Sequence, residues 1–353
     1  MEKVIIVTVY NSENSGSYLQ AYALGYILKN LGYEVAYYQR SSHGSSHAIK
    51  PHIIWSLKKL AKFKIKAAMY PLQTWWIYHK AQKVFPICTS TSSFYKEAKF
   101  VIIGSDTLWN FASDYFSNHA ELYTGKPFMG KSVITYAISA ANTEVEKFKS
   151  VIRGIRGLDN IDTILVRDEH TQTLVRSVCP QECDIVSDPS LLLLPDEYMP
   201  LEKQLQINKP YLLLYYFGKI EDALKVAITE YAQKNNLSIV SMSEVRSWAH
   251  KCVHSSPSNM VSYFKHATCI LTNTFHGTAF SLIFGKRFAV YNCNSNKVRQ
   301  LLCLYKQSYR LFSDAYLVES IFSYENNVHS SGIYDEQRNN SIRLLNNALK
   351  KTL

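Results

Sequence analysis

KVIIVTVYNSENSGSYLQAYALGYILKNLGYEVAYYQR, residues 3–40, sets the architecture of this chain. The opening KVIIVTVY (3–10) is an apolar, β-branched run, the pattern of a strand buried on both faces of a parallel sheet. NSENSG follows as a turn of small polar residues. SYLQAYALGYILKNLG (17–32) then repeats apolar residues at helical spacing and stops at Gly32. EVAYYQR (34–40) reads as the next strand. Strand, turn, helix and strand in this order make a βαβ unit, and such units stack their strands in parallel.

The same alternation continues downstream. FVIIGSD (100–106), SVITYAISA (132–140), TILVRDE (163–169) and DIVSDPSLLLL (184–194) are further strand candidates, with helical stretches between several of them. Residues 195–210, PDEYMPLEKQLQINKP, are polar and bounded by prolines, which suits a linker. The pattern then restarts with YLLLYYFG (211–218), a helix to about 234, LSIVSMS, CILTN, a helix expected from 277, and RFAVYN. The expected organisation is therefore α/β throughout: an N-terminal Rossmann-like domain over 1–195, a second over 196–330, and a closing amphipathic helix over 331–353. Two such domains face each other across a cleft in this reading, with ligands at the carboxyl ends of the strands.

Length and composition agree with two cores. The chain has 353 residues, 47% hydrophobic and 19% charged. Its net charge of +11 favours anionic partners, while the absence of any familiar nucleic-acid motif argues against nucleic acid. Seven cysteines, odd in number and without a CxxC pair, indicate neither a zinc ribbon nor a disulfide framework, so no metal is expected. Reduced thiols, an N-terminal apolar run too short for a signal sequence and the lack of a membrane-length apolar segment point to the cytoplasm. One stretch stands apart. No acidic residue lies between Glu34 and Glu97, and residues 50–83 mix lysines with Trp55, Phe63, Trp75, Trp76 and Tyr78. Ile54, Leu57, Leu60, Ala61, Ile65 and Ala68 fall on one helical face, which suits a helix resting on an anionic membrane surface.

Four motifs sit at expected strand ends. NSGSYLQAYAL (14–24) opens a helix, and Asn14 and Ser17 there stand where backbone N–H groups meet anions. VIIGSDTLWN (101–110) presents Asp106 as a helix cap or as a free carboxylate, and Trp109 as a ring to stack on a sugar. In ILVRDEHT (164–171), Arg167 ends a strand, where it would hold a phosphate or carboxylate, or else pair with Asp168 or Glu169. In LTNTFHGTAFSLIFGK (271–286), His276 precedes a helix whose first N–H groups, from Gly277 to Ala279, would receive an anion beside the imidazole. Thr274 and Thr278 would add hydroxyls there. Either His276 is a core or capping residue, or it moves a proton to a bound substrate.

Taken in order, NSGSYLQAYAL, VIIGSDTLWN, VRDEHT, SDPSLLL and TNTFHGTAFSLIFGK resemble the polysaccharide pyruvyl transferases over roughly residues 4–310. The resemblance implies a GT-B-like fold and a reaction in which phosphoenolpyruvate, as co-substrate without further cofactor, forms a pyruvate ketal on two sugar hydroxyls. It implies a saccharide acceptor, commonly lipid-linked, used for capsule, exopolysaccharide or cell wall at the inner face of the cytoplasmic membrane. His276 is then the general acid and Asp106 its helper. Two positions depart from the family pattern: Thr274 stands where many members carry arginine, and Thr107 where glutamine is frequent. Arg167, the helix start after His276, or Arg299 would supply the missing charge. Two alternatives stay open at this point: a GT-B glycosyltransferase using a nucleotide sugar, and a member that binds glycans without pyruvyl transfer.

Overall fold

The computed structural model describes residues 1–40, 65–155, 157–207, 209–242 and 244–351, and for 65–71 the chain path alone. The chain forms two compact units, Met1–Leu192 with Gln337–Leu353, and Leu193–Glu336.

The first unit holds a seven-stranded sheet in the order β3-β2-β1-β4-β5-β6-β7, parallel throughout. The strands are β1 (Lys3–Val7), β2 (Glu34–Tyr38), β3 (Ile87–Cys88), β4 (Phe100–Asp106), β5 (Ser132–Ile138), β6 (Thr163–Val166) and β7 (Cys183–Ile185). Its longer helices are α1 (Ser15–Asn30), α2 (Ile65–Ala81), α3 (Val145–Gly154) and α4 (Glu169–Arg176). Val4, Ile5, Ile6, Val101, Ile102 and Ile103 are all buried, as expected for central strands covered on both faces. Each such side chain contributes about 1.5–3 kcal/mol of hydrophobic stabilisation. DIVSDPSLLLL does not run on as a strand. It leaves the sheet after Ile185, and Pro189–Leu192 coil into a 3-10 turn whose leucines are buried.

The second unit repeats the design with six parallel strands in the order β10-β9-β8-β11-β12-β13. These are β8 (Tyr211–Tyr215), β9 (Ser238–Met242), β10 (Lys251–Val253), β11 (Cys269–Thr272), β12 (Arg287–Tyr291) and β13 (Leu311–Phe312). The longer helices are α5 (Asp222–Lys234), α6 (Pro257–His266), α7 (Phe275–Ile283) and α8 (Asn296–Leu304). The final helix, α9 (Ile333–Lys350), begins in residues that belong to the second unit and from Gln337 belongs to the first. There it is tied by Arg338 Nε to the Leu192 carbonyl at 2.6 Å, and by Ser341 Oγ, which accepts from the Ser187 N–H at 2.9 Å. Two parallel α/β sheets make this a pair of Rossmann-like domains of the GT-B-like class.

Residues 50–64 of the basic aromatic stretch lie outside the described residues, so the apolar face expected at Ile54, Leu57, Leu60 and Ala61 is not on view. The end of α2 is anchored to α1. Tyr78 is buried, its hydroxyl is 2.6 Å from Ser15 Oγ, and Tyr18 donates to the Ala81 carbonyl at 3.2 Å. Trp76 stays 59% exposed with Lys80 above its ring.

Candidate functional site

Each sheet reverses its winding between two adjacent strands, β1 and β4 in the first unit and β8 and β11 in the second. Crevices outside the carboxyl ends of such strand pairs are where open α/β sheets take ligands. The motifs read from sequence fall largely there.

In the first unit Asn14 is exposed and caps α1, its side chain accepting from the Gly16 N–H at 2.8 Å. Ser17, buried in the first turn, donates at 2.7 Å to Oδ2 of Asp106. That bond crosses the reversal point and joins two residues singled out separately in the sequence. Asp106 is half-buried and does not cap a helix. Its backbone has φ +78°, and its Oδ1 accepts from the Thr107 N–H at 2.8 Å. A chain of buried and half-buried polar groups links α1, β4 and the segment after β7. Gln20 Nε2 donates to Thr8 Oγ1 at 3.0 Å, Thr8 donates to the Ser105 carbonyl at 3.3 Å, and Ser105 donates to Asp188 at 3.2 Å.

Asp188 is the partner of Arg167. Nη1 and Oδ2 are 3.0 Å apart, and the two side chains are 4% and 0% exposed. This corrects the expectation of a guanidinium projecting from the strand edge or paired with a sequence neighbour. Asp168 instead caps α4, accepting from the Thr171 N–H at 2.8 Å and from Ser139 Oγ at 2.6 Å. An arginine enclosed with a counterion cannot serve as a solvent-facing anion hook, because burial is tolerated only through that pairing. Trp109 is also corrected. It is fully buried, donates from Nε1 to the Tyr123 carbonyl at 2.9 Å, and packs on Phe148, so it belongs to the core and offers no face to a sugar.

In the second unit α7 begins at Phe275, two residues earlier than expected, which places His276 inside the first turn. Thr274 is the cap: its Oγ1 accepts from the Gly277 N–H at 2.9 Å, and its carbonyl accepts from the Thr278 N–H at 3.1 Å and the Thr278 hydroxyl at 2.9 Å. The expected anion cradle of Gly277 and Thr278 is therefore corrected, since both N–H groups close the helix start upon itself. Gly277 has a packing reason to be glycine. A Cβ there would collide with the hydroxyls of Thr272 and Thr274. His276 is half-buried and sets its ring edge-on to Phe275 at 5.3 Å. Arg299 is exposed on α8.

Sequence reading gave no role to Asp188, Asn273 or Phe217. Asp188 lies in SDPSLLL and Asn273 in TNTFHG, so both were inside quoted motifs. Asn273 grips Phe217 from both sides, its Oδ1 accepting from the Phe217 N–H at 3.0 Å and its Nδ2 donating to the Phe217 carbonyl at 2.8 Å. This bond pair spans the β8/β11 reversal as Ser17–Asp106 spans that of β1/β4.

A family model described as polysaccharide pyruvyl transferase matches residues 14–296, well over half of the chain and through both reversal points. The chain belongs to the polysaccharide pyruvyl transferase family. No curated protein matches this family member in sequence comparison. Among solved structures, UDP-GlcNAc 2-epimerase from Methanocaldococcus jannaschii is similar with a TM-score of 0.51 and 12% identity, over 93% of this chain and 93% of that one. A candidate UDP-N-acetylglucosamine 2-epimerase from Listeria monocytogenes gives 0.50 and 8%, over 96% and 90%. At such identities the likeness speaks for the fold alone.

Proposed function

We propose that this pyruvyl transferase family member moves the enolpyruvyl group of phosphoenolpyruvate onto two hydroxyls of a saccharide, forming a pyruvate ketal and releasing phosphate. The observation that carries the reading is the family match across 14–296. The placement of His276 at the β8/β11 reversal supports it.

The chemistry assigns each residue a task. The His276 imidazolium gives its proton to the methylene carbon of phosphoenolpyruvate, which becomes a methyl group and leaves C2 electrophilic. A sugar hydroxyl adds to C2 and loses its proton to the imidazole. The C2–O bond to phosphate then breaks, phosphate leaves with the electron pair, and the second hydroxyl closes the ketal as its proton departs. Arg299, exposed on α8, meets the phosphate. The acceptor is a lipid-linked precursor of a surface polysaccharide, and the protein works in the cytoplasm against the inner membrane face through residues 50–83. Among the described residues no helix is long and apolar enough to cross a membrane.

Thermal-shift titration separates this reading from nucleotide-sugar transfer. Phosphoenolpyruvate is expected to raise the melting temperature and uridine diphosphate sugars to leave it unchanged, and the reverse result removes the proposal. Membrane contact has its own test. Binding to anionic vesicles should weaken with salt, each lysine contributing about 1 kcal/mol at low ionic strength. Equal sedimentation with neutral vesicles would remove that part.

A further inference from the structure

We infer that Phe217 is a preorganised platform on which a pyranose ring of the saccharide acceptor stacks, beside His276 at the β8/β11 reversal. The inference rests on the proposed reaction and adds to it the residue that recognises the sugar.

Phe217 stands two residues after the end of β8 and is 44% exposed, although an aromatic ring of this size normally buries itself. What distinguishes it from other exposed aromatics is how its backbone is held. Asn273 takes both its N–H and its carbonyl. The next N–H, of Gly218, donates to Glu244 Oε1 at 2.7 Å. Arg246 Nη2 donates to the Tyr216 carbonyl at 2.7 Å and to the Gly218 carbonyl at 3.0 Å, and pairs with Glu244 at 3.0 Å. Five backbone groups in three consecutive residues are thus satisfied by side chains from the ends of β9 and β11. Gly218 completes the turn at φ +88°, a conformation that suits glycine. Tyr215 supports the ring edge-on at 5.3 Å. A turn fixed this thoroughly loses little freedom when a ligand lands on it, which is what a binding platform requires.

Position and chemistry choose the ligand. Asn273 immediately precedes Thr274, the cap of the helix that carries His276, so platform and imidazole are set by one short segment. Phosphoenolpyruvate is too small and too charged to use an apolar face of ring size. A pyranose has such a face, lined by C–H groups, and its hydroxyls find acceptors in the Glu244 carboxylate, which is 35% exposed. The sugar-stacking ring that sequence places at Trp109 is thereby assigned to Phe217.

The test is saturation-transfer NMR of the full chain with methyl glycosides of glucose, galactose, mannose, N-acetylglucosamine and N-acetylmannosamine, with uridine diphosphate as a control. Parent, Phe217→Tyr, Phe217→Ala and Phe217→Leu are compared. The expected result is transfer to the C–H protons of one sugar face, kept in the Tyr variant and reduced at least five-fold in the Ala and Leu variants, with unchanged melting temperatures. The Leu variant serves where Ala does not fold. Equal transfer in parent and Leu variant, no transfer from any glycoside to the parent, or ring-dependent transfer to uridine diphosphate alone overturns the inference. Phosphoenolpyruvate titrated into the same samples should stabilise parent and variants equally. Its failure to bind the parent would sink the reaction assigned above and not the platform.

Discussion

The two sheet reversals are built alike and finished differently. In the first unit the polar groups turn inward: Ser17 binds Asp106 at β1/β4, and Ser105 of β4 reaches Asp188, which encloses Arg167 at the ends of β6 and β7. At β8/β11 the side-chain bonds are made to the backbone, and two rings, His276 and Phe217, remain accessible in part. The first uses charged side chains bonded to one another to hold shape, whereas the second is held by side chains bonded to the backbone, Asn273 and Thr274 neutral and Glu244 and Arg246 charged, and keeps its rings near the surface. The lesson is that a basic or acidic residue at a strand end marks the right region without revealing whether it faces a ligand.

The sharpest way to break this contrast is to open the first unit's buried ion pair. Asp188→Ala removes the carboxylate paired with the buried Arg167 guanidinium, and the expected loss of stability is about 3–5 kcal/mol, read by urea denaturation. A loss below about 1 kcal/mol would return Arg167 to the ligand-facing group. At the second reversal, Gly277→Ala drives a methyl group into the Thr272 and Thr274 hydroxyls, with an expected cost of about 1–3 kcal/mol. Thr274→Val keeps the volume and removes the cap acceptor, at about 0.5–2 kcal/mol. If Thr274→Val left stability unchanged while weakening phosphoenolpyruvate binding, Thr274 would be a ligand group and not a cap.

A smaller effect tests whether both units bury their thiols alike. Burial raises Cys88 to about 11, and Cys183 and Cys269 to about 12, from an ordinary 9.0. Between pH 9 and those values the folded chain keeps protons that the unfolded chain releases. Stability is then full below that range and falls as pH rises through it. A urea midpoint that stays flat from pH 8 to 11 would contradict the burial.

Much of this was legible in the sequence because it depends on local pattern. The β-branched apolar run KVIIV reads as a covered strand, and the Gly32 stop fixes the end of α1 within two residues. The motifs at 14–24, 101–110 and 271–286 do mark the reversals. Pairings between distant segments were not legible. Arg167 meets Asp188 only because β7 lies beside β6, and Asn273 meets Phe217, 56 residues away, only because β11 lies beside β8. Exposure was equally hidden. Trp109 and Phe217 both follow apolar strands, yet one is sealed in the core and the other stands out from a clamped turn. Nor does spacing tell which N–H groups of a helix start are already taken, which is why the cradle expected at Gly277 closes on Thr274.

The central claim is that His276 delivers the proton to phosphoenolpyruvate, and turnover of His276→Gln tests it most directly. Gln keeps a polar side chain in the first turn of α7 and cannot act as an acid near neutral pH. With phosphate release followed in the presence of acceptor saccharide, turnover should drop about 10²–10⁴-fold. Phosphoenolpyruvate affinity should stay within several-fold of the parent. A folded Gln variant that releases phosphate at the parent's rate would contradict the assignment and leave His276 as a packing residue of the helix start.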